Sequence, residues 1–133
     1  MDKKTFPAST GSLHDASAFI EAALEGVGCG MKTAIQISVA FEEIFVNIAH
    51  YAYPDAPGTV DICIEAAPDS ISVQFIDSGI PFNPLLRPDP DITLSADERK
   101  IGGLGIFMVK KSMDSVAYEY KDGCNIFTMV KNI

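Results

Sequence analysis

The sequence predicts an α+β two-layer sandwich, with helices on one face of a mixed, mostly antiparallel sheet. Three observations carry that expectation. Two long stretches with apolar residues at helical spacing come first, between residues 12 and 53. Two pairs of alternating or nearly alternating runs, 59–77 and 115–132, each fold back through a short turn. A single glycine-led helix stands between those pairs. Helices and hairpins kept in separate stretches give layers, not the repeated strand–helix alternation of a parallel sheet.

The elements follow in the order β-α-α-β-β-loop-α-β-β. KKTFPAS opens as a short edge strand that Pro7 ends. Ser12 is placed to cap a helix running to about Glu25, with Leu13, Ala16, Phe19, Ile20, Ala23 and Leu24 at helical spacing. GVGCG (26–30) stops it. A second helix spans about Lys32 to Tyr53, with Ala34, Ile37, Phe41, Ile44, Ile48 and Ala52 on one stripe, and Pro54 closes it. TVDICIEAA (59–67) and SISVQFID (70–77) read as strands, and the Pro-Asp linker suits a tight hairpin. From Ser78 to Ile101 periodicity disappears among Pro81, Pro84, Pro88 and Pro90, and a gap of that length is expected to be a functional loop. A third helix follows from about Leu104 to Met113, and two strands around Lys121-Asp122-Gly123 close the chain.

Composition narrows the function. A chain of 133 residues is expected to form one domain over 1–133. A net charge of −8 argues against direct nucleic-acid binding, which rests on a basic surface. No apolar run approaches the ~20 residues that cross a bilayer, and MDKKTFPAST lacks the core of a signal peptide, so no membrane and a cytoplasmic location are expected. The odd and widely spaced Cys29, Cys63 and Cys124 read as buried thiols, not as disulfides or a zinc site. Arg99, Lys100, Lys110 and Lys111 flank the glycine-rich segment and are expected to supply positive potential there.

Three local features suggest chemistry. Glu43 and Asn47 stand one turn apart on the second helix, which also suits a plain hydrogen-bonded pair on a solvated strip. Asp77 ends a strand and Gly79 follows, an arrangement that lets backbone approach a flat ligand but also occurs in ordinary turns. IGGLGIFMV (101–109) places glycines before a helix, where free N–H groups and the helix dipole favour an anion, or simply make a hinge.

Taken together, E-x-x-x-N, D-x-G-x-P-F and G-G-L-G-x-F resemble the GHKL ATPase superfamily with its Bergerat ATP-binding fold, over about Thr5 to Lys131. The chain is most similar to the small bacterial anti-sigma-factor serine kinases of that superfamily. The resemblance implies that Glu43 is the general base and that Asn47 binds Mg²⁺ beside ATP. It implies that Asp77 accepts from the adenine amino group while Gly79 lets the backbone pass close to the ring. Gly103, Leu104 and Gly105 would meet the phosphates, Gly102 would hinge a flexible ATP lid at about 82–102, and Lys100, with Arg99 as a second candidate, would sit near the phosphates. Glu42 has no such i,i+4 relation to Asn47. The chain departs from the family's pattern at Pro81, at Tyr51 where a histidine is usual (His50 is given no role), and at Cys124 and Asn125, near a threonine that often assists nucleotide binding.

The function so implied is an ATP-dependent protein serine kinase that phosphorylates a STAS-type antagonist and, in its other state, sequesters a sigma factor. A homodimer and an opposing PP2C-type phosphatase accompany that reading. The alternative is a nucleotide-gated interaction module with little or no transfer activity. A detached histidine-kinase ATPase half fits less well, because the chain has no dimerising coiled coil or phosphoacceptor-histidine region.

Overall fold

The computed structural model describes residues 2–86 and 103–133. Strand β1 (Asp2–Pro7) leads through a 3-10 turn (Thr10–Ser12) into α1 (Leu13–Val27) and α2 (Met31–Tyr51). The hairpin β2 (Thr59–Ala67) and β3 (Ser70–Asp77) follows, then a second 3-10 turn at Pro84–Leu86. After α3 (Gly103–Ser112), β4 (Ser115–Lys121) and β5 (Cys124–Asn132) complete the sheet. The strands lie in the order β1-β2-β3-β5-β4. Every neighbouring pair is antiparallel, so the mixed character allowed for in the sequence reading does not occur among the described strands.

Alternation fixes which face is covered. Along β3, Ile71, Val73, Phe75 and Asp77 are buried while their neighbours are half-buried. The same period puts Asn125, Phe127 and Met129 of β5 inward. On these strands rest Ile20 and Leu24 of α1, Phe41, Ile44 and Phe45 of α2, and Ile106 and Val109 of α3. Phe75 lies between Phe41 and Phe127, with ring centroids 5.2 and 6.4 Å away. Asp77 therefore continues an apolar column, and α2 crosses the sheet above it. Asp122 and Gly123 take φ of 54° and 78°, the backbone of a two-residue hairpin turn of type I′.

Some expectations need correction. Ser12 precedes α1 but makes no capping bond, because the 3-10 turn gives it helical backbone angles (φ −92°, ψ −2°) that take its hydroxyl away from the first turn. Of the cysteines only Cys63 is buried. Cys29 lies in the α1–α2 connection and Cys124 opens β5 on the face opposite Asn125, so both stay partly exposed. The 82–102 lid falls largely outside the described residues, as do Arg99, Lys100 and Gly102. Among the described residues, no helix is long and apolar enough to cross a membrane.

Candidate functional site

Asp77 ends β3 on the covered face, and only 5% of it is exposed. An isolated buried carboxylate is costly, and its neighbours relieve part of that cost. The Gly79 amide and Asn125 Nδ2 each donate to Asp77 Oδ1 at 2.9 Å. Burial still raises the Asp77 pKa above the ordinary carboxylate value, against the lowering effect of Asn125 and then of the Gly79 amide. Among the described residues both bonds fall on Oδ1, and Oδ2 remains an open acceptor.

Asn125 does more than the sequence reading assigned to it. It pairs with Asp77 across the β3–β5 register. Besides the carboxylate, its Nδ2 donates to the Ile80 carbonyl at 2.8 Å, and its Oδ1 accepts from the Phe82 amide at 3.1 Å and from the Tyr118 hydroxyl. One amide thus fastens the chain leaving β3 to β4 and β5. The signal that could have found it was the alternation of β5, which sets Asn125 on the same face as Phe127 and Met129.

Asn47 on α2 faces the same cleft. Asn47, Asp77, Tyr51, Phe82 and Asn125 line it, with Ile44, Ile48, Ile80 and Phe127 among its apolar walls. Asn47 Nδ2 donates to the Glu43 carbonyl at 2.8 Å, one turn back along α2. That bond uses the donor side of the amide, and among the described residues Oδ1 accepts nothing. The cleft is narrow: its cavity volume is about 30 Å³, room for roughly two waters. The Tyr51 and Phe82 rings, 5.7 Å apart between centroids, form part of its wall.

Glu43 does not enter this cleft. Its side chain lies on the α3 side of α2, in a depression it shares with Val39, Gly105 and Met108. A Cβ built on Gly105 would lie 2.0 Å from Glu43 Oε2, so the carboxylate occupies space that only glycine leaves open. Gly103, Leu104 and Gly105 form the first turn of α3, where backbone N–H groups have no intrahelical acceptor. The sequence therefore brings Asn47 to Asp77 and Glu43 to Gly105, with one turn of α2 between the two pairs.

At Gly79 the chain also passes close to the end of α2: a Cβ there would lie 2.2 Å from the Ala52 carbonyl oxygen, and the next amide, Ile80, donates to that oxygen at 2.9 Å. Lys110 and Lys111 lie in the last turn of α3, about 11 Å along the axis from Gly103 by helical rise. That is roughly a Debye length from the first turn, so their charge complements the negative helix end instead. Lys111 Nζ sits 5.4 Å from the Phe107 ring centroid.

Tyr53 lies just past the end of α2. Its hydroxyl donates to the Thr59 carbonyl at 2.5 Å and accepts from the Ser78 amide at 2.8 Å.

The described residues thus form a five-stranded antiparallel sheet with three α-helices and a cleft between its central strand and α2. Over residues 6–131 the chain matches the histidine kinase-like ATPase domain, and it belongs to that family. The GHKL resemblance is thereby borne out, and ATP is the nucleotide of the family.

Within the family the chain is similar to protein kinases. It is 23% identical over 97 residues to serine/threonine-protein kinase BtrW of Bordetella bronchiseptica, covering 72% of this chain and 68% of that one. It is 24% identical over 104 residues to serine-protein kinase RsbW of Listeria monocytogenes, covering 74% and 66%. The chain thus spans about two thirds of each relative's length. Both relatives belong to the enzyme class expected from the sequence. A chain in the crystal structure of the SiaB–SiaC complex from Pseudomonas aeruginosa has the same fold, with a TM-score of 0.61 at 18% identity over 100% of this chain and 90% of that one.

Proposed function

We propose that this chain is an ATP-dependent protein serine/threonine kinase and anti-sigma factor. It phosphorylates a STAS-type antagonist and, in its other state, holds a sigma factor. The observation that carries this reading is the disposition of α2: Asn47 lines the cleft that ends at Asp77, and Glu43, one turn back, rests against Gly105. The similarity to two protein kinases supports it.

The residues present fit magnesium–ATP. Asp77 Oδ2 is an open acceptor for an exocyclic amine at the buried end of a mostly apolar cleft, the mixture a purine site needs. Asn47 Oδ1 is a neutral oxygen ligand of the kind Mg²⁺ takes. The opening amides of α3, at Gly103, Leu104 and Gly105, suit phosphate oxygens. Magnesium–ATP, when bound, supplies the γ-phosphoryl group and the charge neutralisation that transfer requires.

The chain's own part is positioning and proton removal. Asp77 and the cleft walls orient the base, and entry of a purine has to spread Tyr51 from Phe82. Glu43 takes the proton of the acceptor hydroxyl as its oxygen bonds to phosphorus and the bond to the leaving ADP oxygen breaks. A nucleotide-gated module without transfer would have no use for a carboxylate held against Gly105. A homodimer, an opposing PP2C-type phosphatase and a cytoplasmic site of action, where sigma factors work, belong to the same reading.

The direct test is to incubate the protein with γ-labelled ATP and each STAS-domain protein of its own cell. Label is expected on a serine or threonine of one of them, and label on none overturns the kinase reading. Calorimetry on Asn47→Ala sharpens it: affinity for ATP should fall only when Mg²⁺ is present, and an equal fall without metal would remove Asn47 from the metal site.

A further inference from the structure

One exposed surface of α2 is not used by the nucleotide cleft. Met31, Ile35 and Val39 recur every four residues and are 80%, 56% and 51% exposed. Ile37, Ala40, Phe41 and Ile44 of the same helix are buried, so α2 carries a second apolar row turned to solvent. One step further along that row of i+4 positions stands Glu43. The row meets α3 there, since Val39, Glu43, Gly105 and Met108 border one depression of about 200 Å³, and Met108 is itself 48% exposed.

A row of large apolar side chains left in water marks an interaction surface. We propose that Met31, Ile35, Val39 and Met108 form the docking surface for the protein that accepts the phosphoryl group. That partner offers an apolar patch beside an exposed serine or threonine hydroxyl. The inference rests on the reading of Glu43 as the base, and it adds where the substrate sits.

Continuity with Glu43 identifies the occupant. A hydroxyl that reaches this carboxylate enters a depression rimmed by Val39 and Met108, so the protein carrying it lies on those residues. A lone hydroxyl, already hydrogen-bonded to water, brings little affinity, and contacts remote from the reacting atoms must hold it in place. A second copy of this chain seated on the row would cover Glu43 and shut out the acceptor.

The test uses Ile35→Glu and Met31→Glu in the intact chain, both at exposed helical positions, with Ile35→Met as the apolar control. The probes are γ-labelled ATP and the STAS-domain proteins of the same cell. Both Glu variants should keep wild-type ATP affinity and molar mass in solution while binding the STAS-domain protein at least tenfold more weakly. In transfer assays KM for that protein should rise with kcat at saturation nearly unchanged, and Ile35→Met should behave as wild type.

Wild-type binding and KM in the Glu variants would overturn the dock and leave the kinase reading standing. A fall in molar mass on substitution would also overturn it, by making the row a self-association surface. Binding that the Glu variants lose, without transfer by the wild type, would overturn both the kinase reading and the phosphoryl-acceptor dock, leaving only a binding surface. If the wild type neither binds nor labels any STAS-domain protein, both fall.

Discussion

The two depressions beside α2 are built in opposite ways. At the Asp77 end, hydrogen bonds tie one carboxylate and one amide to three segments: Asn125 reaches Asp77, Ile80, Phe82 and Tyr118. At the Glu43 end the carboxylate accepts no hydrogen bond among the described residues, and what places it is the absence of a side chain at Gly105. The first arrangement is finished within the fold, and its cost is a buried carboxylate whose proton affinity is raised. The second is left open on the side where Val39 and Met108 face solvent. One end is held by the fold's own hydrogen bonds, while the other is open to solvent.

The strongest way to break this comparison is Glu43→Gln. Phosphate transfer should fall by about 10²–10⁴-fold with ATP affinity retained, and unchanged transfer in a radiolabel assay would deny Glu43 its role. Next comes Asn125→Ala, which takes one hydrogen-bond partner from each of Asp77 Oδ1, the Ile80 carbonyl, the Phe82 amide and the Tyr118 hydroxyl. Urea unfolding should show a loss of about 2–4 kcal/mol. A loss under ~0.5 kcal/mol, the size expected of an ordinary surface change, would mean that this end is not held by its hydrogen bonds.

Asp77→Asn should weaken ATP and ADP alike by about 10- to 100-fold, the value of one charge-assisted hydrogen bond. Its stability should move the other way. Because the folded pKa of Asp77 lies above its unfolded value, the folded chain binds more protons in that window, and wild-type stability declines as pH rises through it. Asparagine does not ionise, so melting temperatures of the variant should gain on the wild type from about pH 4 towards neutrality. Parallel curves would show that the buried charge costs nothing.

The smallest effect is expected at Gly105→Ala. Its Cβ would fall 2.0 Å from Glu43 Oε2 and force the carboxylate aside. Transfer should drop by about tenfold, as a modest displacement of a reacting group does. Removing a glycine from α3 should meanwhile add up to ~1 kcal/mol of stability. Equal losses of stability and transfer in melts and kinetics would point to a packing defect instead.

The sequence disclosed most of this fold because its signals were periodic. The runs 59–67 and 70–77 became β2 and β3 without change of bounds, and α1, α2 and α3 lie within two residues of their expected limits. Features that depend on pairing between distant strands were harder to read. Asn125 is a single polar residue in a strand until β5 is set against β3, when it faces Asp77. The failed cap at Ser12 depends on a 3-10 turn that no apolar pattern announces. The sequence placed Glu43 and Asn47 on one side of α2, but a turn of helix was enough to put them in separate depressions once α3 packed alongside.

Tyr53 has a consequence for how the domain yields. Its phenol joins the end of α2, the first residue of β2 and the residue following β3 in a three-way joint. Loosening the helix that bears Asn47 therefore drags on the strand that bears Asp77, and neither can drift alone. Together with the bond from the Ile80 amide to the Ala52 carbonyl, this ring helps to hold the spacing between the two from outside the cleft.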